Sequence, residues 1–213
     1  MGQDLSCCGL QPAPSDVDER LPSPFALLWV VYRRLPHDYA LGAPLFVTFR
    51  LHGSLPNGRT FGGGRLGSGK AFACMDRLLD EQRSGPVFLK MPAIAEVVAN
   101  SIRAGAACDY TLHAWVVMPN HVHLLITPRV DASALLHRLK GASARQSDLL
   151  LGRTGQPFWQ DESYDHLVRN TDEFHRIENY IVQNPVRAGL ARSTEEYPWS
   201  SISSSGGLKP AAG

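Results

Sequence analysis

The chain has 213 residues, 44% hydrophobic and 19% charged, a balance that fits one globular domain with tails and excludes global disorder. Lys and Arg number 21 against 20 Asp and Glu, so the net charge of +1 excludes a broad basic coat for duplex DNA; phosphate must be met by a few placed groups or a metal. Cys7, Cys8, Cys74 and Cys108 form no C-x-x-C pair, which argues against a zinc knuckle or disulfide framework and for reduced thiols in a cytoplasmic protein.

Residues 1–43 read as an N-terminal extension, partly disordered, with Pro12, Pro14, Pro22 and Pro24 among polar neighbours. The first twenty residues hold Asp4, Asp16, Asp18 and Glu19 and no apolar run, so no signal peptide is expected. The longest apolar stretch, residues 25–32, is far shorter than the ~20 residues of a membrane span. The body covers 44–201, and 202–213 reads as a flexible tail rich in Ser and Gly.

Within the body, β-branched and aromatic residues at 45–52 predict a strand. A glycine-rich loop at 58–69 leads to a helix over 70–82, with Phe72, Met75, Leu78 and Leu79 at helical spacing. Pro92 opens a second helix to about Arg103. Residues 110–118 and 122–127 form a hairpin about Pro119-Asn120. Asp131 caps a third helix with Leu135, Leu136, Leu139 and Ala142 on one side. A short strand over 163–168 follows, and Asn170 with Glu173 forms a capping-box signature for a fourth helix that should stop before Pro185. The order fits an α+β layer: a ferredoxin-like antiparallel βαββαβ sheet with helices on one face and the final helix outside that core.

Two local patterns carry possible chemistry. His121 and His123 are two apart in a strand, so both rings share one face while Val122 enters the core. Such a pair suits a metal but leaves it under-coordinated; two half-buried, hydrogen-bonded histidines are the plainer alternative. On the last helix, Tyr180 and Asn184 are four apart and share a face. If that helix crosses the sheet, Asn184 offers a third ligand oxygen and Tyr180 a hydroxyl; taken singly, Tyr180 is a packing residue and Asn184 a helix-end residue. Gly64, Gly69 and Lys70 satisfy G-x-x-x-x-G-K, but Ala71 stands where a nucleotide-binding loop needs Ser or Thr, so no nucleotide cofactor is expected.

Together these segments resemble the single-tyrosine HUH transposases of the IS200/IS605-like group, and within it the REP-associated branch. The resemblance rests on Phe46-Val-Thr-Phe-Arg-Leu-His52, Ala114-Trp-Val-Val-Met-Pro-Asn-His-Val-His-Leu-Leu125, Phe158-Trp-Gln-Asp-Glu-Ser-Tyr-Asp-His166, Tyr180-Ile-Val-Gln-Asn-Pro-Val-Arg-Ala-Gly-Leu190 and Tyr197-Pro-Trp-Ser-Ser201. It implies Tyr180 as the nucleophile, His121, His123 and Asn184 as ligands of Mg²⁺ or Mn²⁺, and a DNA transposase that cleaves and rejoins single-stranded DNA through a 5′-phosphotyrosine. A free tyrosine is only ~0.1–1% phenolate near neutral pH, so a cation that neutralises the phosphodiester makes physical sense. Three neutral ligands would leave the metal its full charge.

The resemblance also implies a single-stranded partner with a hairpin, no membrane partner, and a monomer rather than a dimer. Arg138, Lys140, Arg145 and Arg187 are candidate DNA contacts, with solvated or structural roles as the alternative. Trp115, Trp159 and Trp199 fit core packing better than base stacking, and His166 is a candidate neighbour of the ligands. Two other functions stay open: a hydrolase using water at the same histidines, and a domesticated protein that binds single-stranded or hairpin DNA in a sequence-specific way without transposition.

Overall fold

The computed structural model describes residues 41–55, 68–81 and 85–202. Most of the N-terminal extension with its apolar run at 25–32, the glycine-rich loop through residue 67, and the tail after 202 lie outside the described residues. The elements are β1 (Leu45–Arg50), α1 (Ser68–Asp80), α2 (Pro92–Cys108), β2 (Tyr110–Val117), β3 (His121–Pro128), α3 (Ala132–Leu151), β4 (Tyr164–Leu167) and α4 (Thr171–Arg187).

The four strands form an antiparallel sheet in the order β2-β3-β1-β4, the order of a ferredoxin-like βαββαβ unit built from β1, α2, β2, β3, α3 and β4. Alternation along β1 separates the two faces. Leu45, Val47 and Phe49 join Val122, Leu124 and Ile126 in a core covered by Ile94 and Val98 of α2 and by Leu135 and Leu139 of α3. Phe46 joins Val116, Met118 and Leu125 on the other face, under Phe72 of α1 and Ile177 and Ile181 of α4. The two crossover helices thus share one face as expected, while α1 and the final helix take the other and enclose the site there.

The local chemistry explains most boundaries. Asp131 accepts from Ala134 N at the start of α3, and Gly152 closes its end with a left-handed φ of 63°. α2 runs past Arg103 to Cys108, because the Tyr110 hydroxyl donates to the Ile102 carbonyl at 2.6 Å and its ring fills the space beside Gly105. A Cβ at Gly105 would stand 2.6 Å from that ring. α4 does not stop before Pro185 but continues to Arg187. Proline removes one donor to the preceding turn, but Ala188 N bonds the Asn184 carbonyl at 2.9 Å, Leu190 N bonds the Pro185 carbonyl at 2.8 Å, and the proline itself is buried. The outer edge of β2 is covered by the 197–201 segment, through Val117 N to the Trp199 carbonyl and Ser201 N to the Trp115 carbonyl. Trp115 and Trp159 are buried in the core and Trp199 packs against it, as the packing alternative expects.

Candidate active site

The site grows from the register of the central strands. β3 sets His121 opposite Arg50 and His123 opposite Thr48, with Val122 turned into the opposite core. Both imidazoles are fully buried, and their Nε2 atoms meet at 3.0 Å. Each ring is held from behind. Asn120 Oδ1 lies 2.7 Å from His121 Nδ1, while Asn120 Nδ2 donates to the Leu79 carbonyl. The amide orientation therefore makes His121 Nδ1 the donor and leaves Nε2 with its lone pair. Thr48 Oγ1 fixes His123 Nδ1 at 2.7 Å, and Phe46 stacks on the same ring. Burial, with His123 alongside and only partly offset by Asp76, pushes the His121 pKa down to about 3, so this ring is neutral at physiological pH and free to ligate.

α4 lies across this face. Asn170 Oδ1 accepts from Glu173 N, and Glu173 Oε2 accepts from Arg169 N, a variant of the expected capping box that anchors the helix start. Ile177 and Ile181 dock the helix on the sheet, and the same stripe presents Tyr180 and Asn184 to the histidines. Asn184 is buried, its Nδ2 is 3.3 Å from His123 Nε2, and its Oδ1 has no hydrogen-bond partner. The Tyr180 ring stands edge-on to His123 with centroids 5.6 Å apart, and the Arg187 guanidinium lies over it at 4.9 Å.

The sequence reading missed α1's contribution. Asp76, 3% exposed, places Oδ1 at 3.1 Å from His123 Nε2 and 3.5 Å from His121 Nε2, while its Oδ2 accepts the Tyr180 hydroxyl. Asp80, one turn on, puts Oδ1 at 3.9 Å from His121 Nε2. Asp76, His121 and His123 have ligand atoms close enough to share one cation. Burial alone would raise the Asp76 pKa, but His123, His121 and Arg187 hold it below the usual carboxylate value. Asp80 is pushed the other way, up to about 7, by burial and by the Asp76 charge. A signal was present: Asp76 and Asp80 recur at i, i+4 beside Leu79, on the side of a helix that must face the body. Nothing in the sequence said that this face would meet the histidines.

Other candidates fall elsewhere. Arg138, Lys140 and Arg145 are on α3, across the sheet from the histidines. Arg138 pairs with Asp109 at 3.0 Å, Lys140 donates to the Gln160 and Asp161 carbonyls, and Arg145 is exposed. Of the four cationic candidates, Arg187 alone is brought to Tyr180. His166 pairs with Glu173 at 3.0 Å instead of approaching the histidine pair.

Whether these groups fit a cation can be tested on their own bonding. Asp76 Oδ1 and Asn184 Oδ1 are buried without hydrogen-bond partners, and two imidazole nitrogens converge beside them. Orphaned acceptors of this kind are costly unless something satisfies them, and a divalent cation does so for all four donors. Among the described residues no helix is long and apolar enough to cross a membrane.

Residues 92–184 match the family model described as Transposase IS200 like. The REP-associated tyrosine transposase of Escherichia coli (strain K12) is 28% identical over 96 residues, 44% of this chain; the chain spans 54% of that relative's length. A solved structure of the REP-associated tyrosine transposase bound to a REP hairpin is matched over 77% of this chain and 79% of the other, at 21% identity and a TM-score of 0.49. The stretch that matches the family model is similar to the IS200-like transposases over less than half of this chain, and it contains His121, His123, Tyr180 and Asn184.

Proposed function

We propose that the chain is a metal-assisted DNA transposase that cuts and rejoins single strands through a phosphotyrosine at Tyr180, with a hairpin beside the cut as the resemblance to the REP-associated branch suggests. The observation that carries this reading is the bridge made by Asp76: one oxygen accepts the Tyr180 hydroxyl and the other faces the paired imidazoles. A nucleophile and a candidate cation site are thereby linked by a single side chain.

His121, His123 and Asp76 would hold the cation, with Asn184 supplying its unpaired amide oxygen. The carboxylate alters the expected ligand set of three neutral groups, and an anionic oxygen donor suits Mg²⁺ or Mn²⁺ better than imidazoles alone. When bound, the cation supplies charge neutralisation at the non-bridging oxygens and polarises phosphorus. The chain's own residues do the rest. Asp76 Oδ2 aims the Tyr180 oxygen and receives its proton as the Tyr180 O–P bond forms. The P–O3′ bond breaks, the leaving oxygen takes a proton from solvent, and a 3′-hydroxyl results. Because the phosphoester is conserved, another 3′-hydroxyl can reverse the step and join strands. Arg187 over the phenol ring is placed to meet phosphate charge. All these residues come from one chain, which supports a monomeric site.

The test is a labelled single-stranded hairpin DNA incubated with protein and Mg²⁺ or Mn²⁺. A covalent protein–DNA adduct is expected in the wild type and none in Tyr180→Phe. Cleavage without adduct, unaffected by Tyr180→Phe, would instead establish the hydrolase; binding without cleavage would establish the domesticated binder.

A further inference from the structure

Beside Tyr180 the structure has an open pocket of about 780 Å³. Its wall includes Tyr180 and Asp76, so whatever fills it abuts the attacking phenol. Phe72 of α1 and Tyr164 of β4 stack on each other in its wall, with centroids 4.4 Å apart and planes 29° apart, and both are only half-buried, so a further ring can extend the stack from an outer face. Phe46 meets both rings edge-on behind them. The lining carries Arg77, Arg176 and Arg187 beside Asp76, Asp80, Glu81 and the His166–Glu173 pair, so its cations are placed singly among carboxylates and do not form a basic surface. An aromatic platform with cations at hand and a few fixed polar groups is the chemistry of an unpaired nucleotide's site: the base stacks and the phosphate is met by guanidinium groups. The volume lies within the range of pockets that hold ligands of this size.

We propose that this pocket holds the base of the nucleotide whose 5′-phosphate is transferred to Tyr180, an inference that rests on the phosphotyrosine reading above. The choice of nucleotide follows from tethering. After the transfer this nucleotide is attached to the phenol oxygen through its own 5′-phosphate, only a few bonds from its base. The pocket that Tyr180 itself lines is within that reach. The strand ending in the new 3′-hydroxyl has no such tether. Stacking against the Phe72–Tyr164 pair holds the attached end in place while the 3′-hydroxyl end exchanges, so the pocket acts both in choosing the cut position and in keeping the intermediate poised for joining.

The experiment first maps the cut made by the wild-type protein in a single-stranded hairpin DNA. Substrates with an abasic nucleotide immediately on the 5′-phosphate side or the 3′-hydroxyl side of that cut are then compared. Abasic replacement on the 5′-phosphate side should slow adduct formation by about tenfold or more, the loss of one stacked base. Replacement on the other side should change it less than about twofold, well below one stack. Phe72→Ala and Tyr164→Ala should slow the intact substrate similarly and add nothing on the abasic one, because the stack is already gone. Equal rates for the intact and 5′-side abasic substrates, a larger effect on the 3′-hydroxyl side, or additive losses in the variants would overturn the inference. The abasic comparison uses wild-type protein, so an unstable variant does not spoil it. Absence of any adduct from the wild type on intact DNA would overturn the phosphotyrosine reading itself, and this inference with it.

Discussion

Asp76→Asn tests the centre of the site, because it removes one charge while nearly keeping the side chain's shape. In the structure Asp76 Oδ1 has no hydrogen-bond partner and lies 3.1 Å from His123 Nε2, where a cation would satisfy both. Saturating Mn²⁺ at a hundred times its dissociation constant should add about 2.7 kcal/mol to the wild type. For a domain of this size that is a rise in Tm of about 5–11 °C. Supporting groups around metal sites cost about 10–100-fold in affinity when removed, and a charged ligand belongs at the upper end. A hundredfold loss brings the same Mn²⁺ concentration down to the variant's own dissociation constant. The stabilisation then shrinks to about 0.4 kcal/mol, or about 1–2 °C. Differential scanning fluorimetry of both proteins, in EDTA and in Mn²⁺, reads the difference directly. An equal Mn²⁺-induced rise in wild type and Asp76→Asn would refute the assignment of Asp76 to the cation site.

Three further outcomes are expected. Tyr180→Phe should keep most of the Mn²⁺-induced rise in Tm while losing the adduct, since its hydroxyl bonds Asp76 Oδ2 and not the Oδ1 that faces the imidazoles; a lost rise would show the hydroxyl to be part of the metal site. Asn170→Ala removes the acceptor for Glu173 N at the start of α4, at a cost of about 1 kcal/mol and a fall in Tm of about 2–4 °C by calorimetry; no fall would mean that the cap does not hold the helix. In EDTA, two groups oppose each other across acid pH. His121, lowered to about 3, contributes stability that is present above its unfolded value of about 6.5 and is lost as pH falls toward 3. Asp80, raised to about 7, folds more favourably when protonated, so its contribution is present below about 4 and is lost as pH rises toward 7. Asp80→Asn removes the second effect, so urea denaturation should show a steeper gain in stability from pH 4.5 to 6.5 than in the wild type; an unchanged slope would contradict the Asp80 shift.

Strands and helices were legible in the sequence wherever a strong local pattern coincided with a cap. Asp131 and Asn170 start α3 and α4 where their side chains satisfy the free N–H groups, and the H-x-H spacing alone put both imidazoles on one face. Pro185 misled because the rule that proline ends a helix weighs only the local bond that is lost, whereas a buried ring and two returning hydrogen bonds hold the last turn. Asp76 shows the larger limit. Its sequence context marks it as one polar residue on an amphipathic helix, and its role depends on α1 and α4 lying over the same face of the sheet, more than a hundred residues apart in the chain. Local propensity and periodicity determine which residues share a face; which faces then meet is decided by the packing of distant segments. The paired imidazoles, Tyr180 and Asn184 were therefore legible in the sequence as candidates, while the carboxylate that lies between them is brought there only by the folded chain.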